Sequence, residues 1–255
     1  MEPISVKKIS GNDLVSLSSL FKEVFSGAPW YEEKICSGAL SADEDICSVQ
    51  YTSRALPTDY KWQLDKTKRK GVVGNAVGLE SCLLCERPLM EFYPSYVNHY
   101  ELIKEALSKE GFIGYLLTEN KTPFGFSWGC KIPAGKTKSV NFPIVVPMLD
   151  AAGINRERAF YGAELGIVEN KQGSGNGFLA SAIRLRHARL ADYEDFLVRT
   201  KNEKVLSILC KIFSGQNGKL LFEDPERGSP WYSWKFRDFD SRIDDLLSAM
   251  TREEV

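Results

Sequence analysis

The 255-residue sequence lacks the features that mark nucleic-acid-binding, membrane and secreted proteins. Lys and Arg number 33 against 34 for Asp and Glu, a net charge of −1, so no broad basic surface is available to neutralise phosphates. No stretch approaches the ~20 consecutive apolar residues of a membrane-spanning helix. Residues 1–5 have neither the basic region nor the apolar region of a secretory signal. We therefore expect no nucleic-acid partner, no membrane partner and a cytoplasmic location.

Cysteine and histidine are also sparse. Six cysteines in a chain of this length are too few for a disulfide scaffold, and in a reducing compartment they are free thiols or metal ligands. His187 is expected to be a structural helix residue, and His99 is expected on a helix surface. The composition is otherwise that of a globular protein, with 43% hydrophobic and 26% charged residues, so a packed core is expected.

The order of periodic segments predicts an α+β (α/β) fold. Apolar residues at helical spacing predict two N-terminal helices, and from residue 112 the pattern changes to strands, beginning with a hairpin. The predicted helices cover 13–25, 96–110, 177–190, 205–213 and 240–250, and the predicted strands cover 112–118, 124–130, 159–168, 196–199, 219–222 and 231–236. This order predicts a mixed, mostly antiparallel central sheet flanked by helices.

A glycine-rich loop lies between the strand that ends at Val168 and the helix over 177–190. Gly173, Gly175 and Gly177 alternate there, and glycine permits backbone angles and close approaches that side chains prevent. The start of a helix adds unpaired N–H groups and the positive end of the peptide dipole, so the junction is a candidate pyrophosphate site. The spacing Gly-x-Gly-x-Gly differs from the Gly-x-Gly-x-x-Gly of dinucleotide-binding folds, which disfavours that class.

The segment Glu164–Gly177 resembles the central signature of the GNAT superfamily of N-acetyltransferases. Its loop matches the family pattern Gln/Arg-x-x-Gly-x-Gly/Ala at Gln172, Gly175 and Gly177. The likeness continues through the next helix and strand to Asn202. It implies a GNAT-like fold, acetyl-coenzyme A as cosubstrate, and transfer of the acetyl group to an amine by direct attack on the thioester.

The resemblance also implies roles for particular residues. In the family, the loop amides hold the coenzyme A pyrophosphate, and the strand before the loop splays from its neighbour and hydrogen-bonds the pantetheine. The implied cofactor-binding residues are Leu165, Gly166, Ile167, Val168, Gln172, Gly173, Ser174, Gly175, Asn176, Gly177 and Asn202. Glu164 stands where the family often has an acidic residue, so it is the candidate catalytic base. The alternative for Glu164 is a structural carboxylate.

The chain departs from the family at one catalytic position. Many members have a tyrosine seven residues after the asparagine, where it protonates the departing thiolate, but Leu209 stands here. Either coenzyme A would have to leave directly as a thiolate, or another residue would have to donate the proton. An alternative function is therefore a catalytically silent module that binds an acyl-coenzyme A, or another protein, on a GNAT fold.

The stretch 34–95 interrupts the periodic pattern and looks inserted. With Pro29-Trp30 before it and Phe92–Pro94 at its end, it resembles cysteine-containing, zinc-bearing insertions of some bacterial GNAT proteins. We predict a single GNAT-like domain over 1–255, with 34–95 as the inserted segment and 98–240 as the acyl-coenzyme A-binding core.

Four cysteines of the inserted segment form a candidate metal site. Cys82-x-x-Cys85 can place two thiolates on one tetrahedral zinc ion, and Cys36 and Cys47 complete the four ligands. A site of four cysteines leaves no open position for substrate, so a structural zinc ion is implied. Free thiols, or His99 in place of Cys47, are the alternatives, and a zinc-dependent interaction protein is a third function.

The acceptor cannot be named from these patterns. Acceptor pockets are built from loops and helices that vary freely on a common fold. Polyamines, aminoglycosides, amino acids and protein N-termini are all compatible, so the expected partner is a small-molecule or peptide amine. A homodimer is also compatible with the sequence.

Overall fold

The computed structural model describes residues 4–26, 33–40, 47–56, 58, 64–91, 96–135, 137, 140–226 and 228–254. The chain divides into two compact units, one of Met1–Leu17 with Leu102–Val255 and one of Ser18–Glu101. We call them the large unit and the small unit. The small unit contains the whole predicted segment 34–95, while Pro29-Trp30 and Phe92–Pro94 lie outside the described residues.

The described residues form a helix or strand at each of the predicted places, together with further elements that were not predicted. The helices are α1 Leu14–Ser26, α2 Tyr96–Leu107, α3 Phe142–Ala151, α4 Asn176–Leu190, α5 Glu203–Ile212 and α6 Arg242–Met250. The strands are β1 Ile4–Lys8, β2 Lys34–Cys36, β3 Ser48–Tyr51, β4 Lys70–Val73, β5 Leu89–Glu91, β6 Ile113–Glu119, β7 Thr122–Lys131, β8 Ala159–Ile167, β9 Asp195–Arg199, β10 Lys219–Glu223, β11 Pro230–Lys235 and β12 Thr251–Glu254. None of the helices in the described ranges is long and apolar enough to cross a membrane.

The large unit is built on an eight-stranded sheet with the order β10-β11-β9-β8-β7-β6-β1-β12. Neighbouring strands are antiparallel except for the parallel pairs β8–β9 and β1–β12. The predicted mixed, mostly antiparallel sheet is therefore confirmed. The parallel pair β8–β9 lies inside the sheet, and α4 is the connection between its two strands.

Helices cover both faces of the large sheet. On one face, Leu149 of α3 packs in a cluster with Tyr161 of β8 and Trp231 of β11. On the other face, a Cβ on Gly162, the next residue of β8, would lie 3.2 Å from the guanidinium of Arg184 on α4. Because successive residues of a strand alternate between faces, α3 and α4 lie on opposite faces of the sheet.

The small unit has its own sheet with the order β4-β3-β2-β5 and strands of three or four residues. Its buried cluster includes Cys36, Cys47 and Cys82 together with Val49 and Tyr51. The prediction that His99 lies on the surface is wrong, because only 1% of His99 is exposed. The centroid of its ring lies 5.7 Å from the centroid of the Phe21 ring on α1.

Candidate functional site

The strands β8 and β9 run together for only part of their length. They pair from Ala159 to Gly162, although β8 continues to Ile167. On its other edge, β8 stays paired with β7 as far as Ile167. Within the described chain, the outer edge of β8 beyond Gly162 thus has no strand beside it. The carbonyls of Glu164 and Ile167 accept hydrogen bonds from Arg184 and Gln172, so a ligand that lies along this edge would bind the other main-chain groups.

A β-bulge lies at the point where the two strands part. Glu164 is opposite Trp128 of β7, but Gly162 is opposite Gly129, so Ala163 is an extra residue in β8. Strict alternation would point Tyr161 and Glu164 to opposite faces, yet Tyr161, Ala163 and Glu164 all line one cavity. The bulge therefore aims the candidate base at the face of the sheet that α3 covers.

This cavity, which we call the Glu164 cavity, has a volume of about 70 Å³. Its lining residues are Leu102, Glu105, Ala106, Lys109, Phe112, Trp128, Cys130, Pro133, Thr137, Phe142, Tyr161, Ala163 and Glu164. All of them belong to the large unit. The candidate base thus faces a mostly apolar space.

Arg184 of α4 holds the bulge from the opposite face. Its Nη1 donates hydrogen bonds to the carbonyl oxygens of Trp128 at 2.8 Å and Glu164 at 3.0 Å. Burial lowers the pKa of Arg184 to about 10, so the guanidinium is charged at neutral pH. Arg184 was not predicted as a site residue. A signal was present, because Arg184 lies on the same face of the helix as Ala180 and Ala188, which are four residues before and after it and fully buried.

The glycine loop joins the splayed strand to the start of α4. Gly173 and Gly175 have φ values of 82° and 84°, which L-residues with side chains rarely adopt. Gly175 is the N-cap of α4, and as a glycine it has no side chain to cap the helix. The first N–H groups of α4 have no carbonyl partner within the helix, and a Cβ on either glycine would point into open space. The loop therefore presents main-chain donors to an anion at the positive end of a 15-residue helix.

The comparisons with known proteins give a likeness of fold alone. No family model matches the chain, and no curated protein matches its sequence. Among solved structures, an uncharacterised protein from Bacillus halodurans has a TM-score of 0.53 and 9% identity, over 97% of this chain and 91% of that chain.

GNAT-family acetyltransferases are also among the similar solved structures. The PaiA N-acetyltransferase from Thermoplasma acidophilum, in complex with coenzyme A, has a TM-score of 0.45 and 12% identity, over 92% of this chain and 99% of that chain. The aminoglycoside acetyltransferase AAC(6')-Ib, also with coenzyme A, has a TM-score of 0.48 and 10% identity, over 92% of this chain and 96% of that chain. At these identities the likeness concerns the fold alone.

The described elements place the residues of the predicted cofactor site in two positions. Leu165 to Val168 follow the point where β8 and β9 part, so their main chain lies along the open edge. Two side chains of the loop instead bind the chain itself. Gln172 Nε2 donates to the carbonyl of Ile167 at 3.0 Å, and Asn176 Nδ2 donates to the carbonyl of Lys171 at 2.8 Å. These bonds fix the loop, while exposed Ser174 lies between its two left-handed glycines.

Three other positions are explained by α5. A Cβ on Gly177 would lie 3.2 Å from Cδ1 of Ile208, so this glycine lets α5 approach α4. Asn202 is the N-cap of α5, and its Oδ1 accepts hydrogen bonds from the amides of Lys204 and Val205. Leu209, where many family members have the acid, is only 1% exposed. It packs in the core and offers no proton.

In the small unit, the four predicted cysteine ligands meet at one point. The sulfur atoms of Cys36, Cys47, Cys82 and Cys85 all lie within 4.8 Å of one another, and His99 is not among them. The separation is 3.4 Å between Cys36 and Cys85 and 3.6 Å between Cys47 and Cys82. A tetrahedral zinc ion with Zn–S bonds of ~2.3 Å places its sulfurs about 3.8 Å apart, so the donor set and spacing fit zinc.

Neighbouring groups donate hydrogen bonds to these sulfurs. The Tyr51 hydroxyl lies 3.2 Å from Cys82 Sγ, the Leu84 amide 3.5 Å from the same atom, and the Gly38 amide 3.4 Å from Cys36 Sγ. Burial raises the pKa of the Cys82 thiol, but the bonds from Tyr51 and Leu84 outweigh it and lower the pKa to about 6. Such donors orient thiolates and stabilise them as metal ligands.

Proposed function

We propose that this chain transfers the acetyl group of acetyl-coenzyme A to an amine. The observation that carries the proposal is the uncapped start of α4, which follows two left-handed glycines and directly adjoins the open edge of β8. A ligand with a diphosphate and an extended, hydrogen-bonding arm matches both features. Coenzyme A has this form, and the match of Gln172, Gly175 and Gly177 to the family loop supports it.

In this proposal the chain's own groups position the reactants. The first amides of α4 bind the diphosphate, and the edge of β8 after Gly162 binds the pantetheine. Acetyl-coenzyme A supplies a thioester carbonyl at the bulge. The amine nitrogen bonds to the acetyl carbon as the C–S bond breaks, Glu164 takes the proton of the amine, directly or through water, and the sulfur leaves as a thiolate.

Buried Leu209 favours one second function. In this second function, the chain binds an acyl-coenzyme A and transfers nothing, because no acid at this position protonates the thiolate. The two functions differ in one result, which is whether an acetylated amine accumulates when acetyl-coenzyme A and amines are supplied together.

The experiment is an acetyl-transfer assay with a broad set of amines, using the wild-type chain and Glu164→Gln. We expect transfer, and a fall in kcat of about 10²-fold or more in Glu164→Gln because general-base catalysis is typically worth 10²–10⁴-fold. Glu157→Gln is the control, since this carboxylate is exposed and pairs with Lys131 away from the cavity. Binding of coenzyme A without transfer to any amine would establish the silent module instead.

We further propose that Cys36, Cys47, Cys82 and Cys85 hold one structural zinc ion. The support is the convergence of four sulfurs from three separate chain segments, with main-chain and tyrosine donors aimed at them. Elemental analysis after exhaustive dialysis should find one zinc per chain in the wild type and in Cys210→Ser, and none in Cys82→Ser. If the wild-type protein contained no metal and its small unit were folded, the four cysteines would be free thiols and the zinc proposal would be wrong.

A further inference from the structure

Arg184 carries a buried positive charge beside the opening between β8 and β9. We propose that this charge stabilises the coenzyme A thiolate as it leaves, in place of the acid that Leu209 cannot supply. Arg184 acts through its charge and transfers no proton. Because the thiolate forms in the acetyl transfer proposed above, this inference rests on that function.

The guanidinium group of Arg184 lies where the open edge of β8 begins. Its Nη1 is 3.0 Å from the carbonyl oxygen of Glu164. A Cβ on Gly162, the last residue of β8 that pairs with β9, would lie 3.2 Å from its Nη2. On the side of β9, its Cζ lies 5.7 Å from the centroid of the Phe196 ring. A thioester held at the bulge by the open edge is therefore close to this cation.

The charge of Arg184 has no carboxylate partner within the described ranges. Its Nη1 bonds go to main-chain carbonyls, and its buried Nε has no acceptor among the described residues. By contrast, Arg186 and Arg189 of the same helix both pair with Asp244 of α6. A buried cation without a carboxylate is unfavourable, and it is suited to a negative charge that forms only during the reaction.

Two titratable groups of β8, Glu164 and Tyr161, act on the charge of Arg184. Burial raises the pKa of Tyr161, so this phenol is neutral at pH 7. Glu164 takes the proton of the amine as the nitrogen bonds to the acetyl carbon, and the electrons of the C–S bond go to the sulfur. The charge of Glu164 is then neutralised while that of Arg184 remains. The cation thus acts at the moment when the sulfur becomes negative.

The surroundings of Arg184 on this face of the sheet screen its charge weakly. Only 3% of Arg184 is exposed, and the neighbouring Phe196 ring stacks on Phe213 of α5. At an effective dielectric constant of ~20, a unit charge within about 8 Å shifts a pKa by roughly one unit or more. We therefore expect Arg184 to increase the ratio of thiolate to thiol in bound coenzyme A at least tenfold.

The test measures the ionisation of the thiol in the complex of the full chain with coenzyme A. Coenzyme A that carries carbon-13 in the methylene next to the sulfur reports the charge of the sulfur through its NMR shift. We expect the ratio of thiolate to thiol at about pH 8.5, near the usual pKa of a thiol, to be at least tenfold lower in Arg184→Met than in the wild type. Arg184→Lys keeps the charge, so its ratio should stay within about threefold of the wild type.

Arg186→Met is the control for loss of a charge from the same helix. Arg186 has 28% of its side chain exposed and pairs with Asp244, so this variant should leave the ratio unchanged. Arg184→Gln also removes the charge and keeps a side-chain donor, and it takes the place of Arg184→Met if that variant does not fold.

Two results would overturn the inference. One is an equal ratio in the wild type and the folded charge-free variants, and the other is a ratio as low in Arg184→Lys as in Arg184→Met. Failure of coenzyme A to bind to the wild type would overturn the proposed function and this inference with it. Binding with an unchanged thiol ratio would count against the role of Arg184 alone.

Discussion

The proposed metal site in the small unit and the proposed diphosphate site in the large unit use different parts of the residue. In the cluster, four side-chain sulfurs converge and the main chain only donates to them. In the loop, the main-chain amides are the proposed binding groups, and the side chains of Gln172 and Asn176 only hold the backbone in place. Substitutions that remove a sulfur should therefore destroy the cysteine site, and substitutions that add a side chain to a glycine should destroy the loop site.

The two units also differ in how they are held together. The large sheet has strands of five to ten residues in its centre, with helices packed on both faces. The small sheet has strands of three or four residues, and cysteines occupy much of its buried cluster. Short strands bury little apolar surface, so the small unit depends on its cluster for stability.

The largest expected effect follows from metal removal. Binding of structural zinc to small domains is worth about 10–16 kcal/mol, which exceeds the stability of a typical domain. Treatment with a strong chelator should therefore abolish hydrogen-exchange protection of β2 to β5, while amides of β7 and β8 stay protected. Mass spectrometry of peptides from each unit measures both. Unchanged protection of the small unit in metal-free protein would show that thiol packing alone suffices.

A smaller effect is expected at Arg184, which supports the bulge in the large unit. Arg184→Met removes both hydrogen bonds to the carbonyls of Trp128 and Glu164, and each buried unsatisfied carbonyl costs about 1–3 kcal/mol. We expect the free energy of unfolding of the large unit to fall by about 2–4 kcal/mol, as measured by urea titration.

Arg186→Met is the matched control for Arg184. Arg186 lies on the same helix and pairs at 3.3 Å with Asp244, with 28% of its side chain exposed. A partly exposed ion pair contributes up to about 1 kcal/mol, so this variant should lose less than Arg184→Met. Equal losses in the two variants would mean that Arg184 fills space without supporting the bulge.

Local sequence patterns predicted the elements around the loop well, because their signals are local. The glycines mark where α4 begins, and the apolar runs of β8 and β9 mark the strands on either side. Helix α3 was not predicted, since Pro143 and Pro147 are typical of loops. Pro143 in fact lies in the first turn, where its missing N–H costs no hydrogen bond.

Features that depend on distant residues have weak sequence signals. The four-cysteine set was predicted by counting candidate ligands, although the ten-residue gap between Cys36 and Cys47 has no metal-binding signature and only the fold brings these cysteines to the Cys82-x-x-Cys85 turn. The bulge at Ala163 arises from the register against β7 and leaves no local signal. The burial of His99 likewise results from packing against Phe21, which is 78 positions earlier in the numbering and invisible to helical periodicity.

The main-chain amides that follow Gly175, at the start of α4, are proposed to bind the diphosphate of coenzyme A. Gly175 and Gly215 have φ values of 84° and 79°, and a Cβ on either would meet no atom within 4 Å. Alanine at each position should therefore cost a similar backbone strain, about 1–2 kcal/mol. Isothermal titration with coenzyme A is expected to show at least a tenfold loss of affinity for Gly175→Ala and none for Gly215→Ala. Equal affinities in the two folded variants would contradict the account.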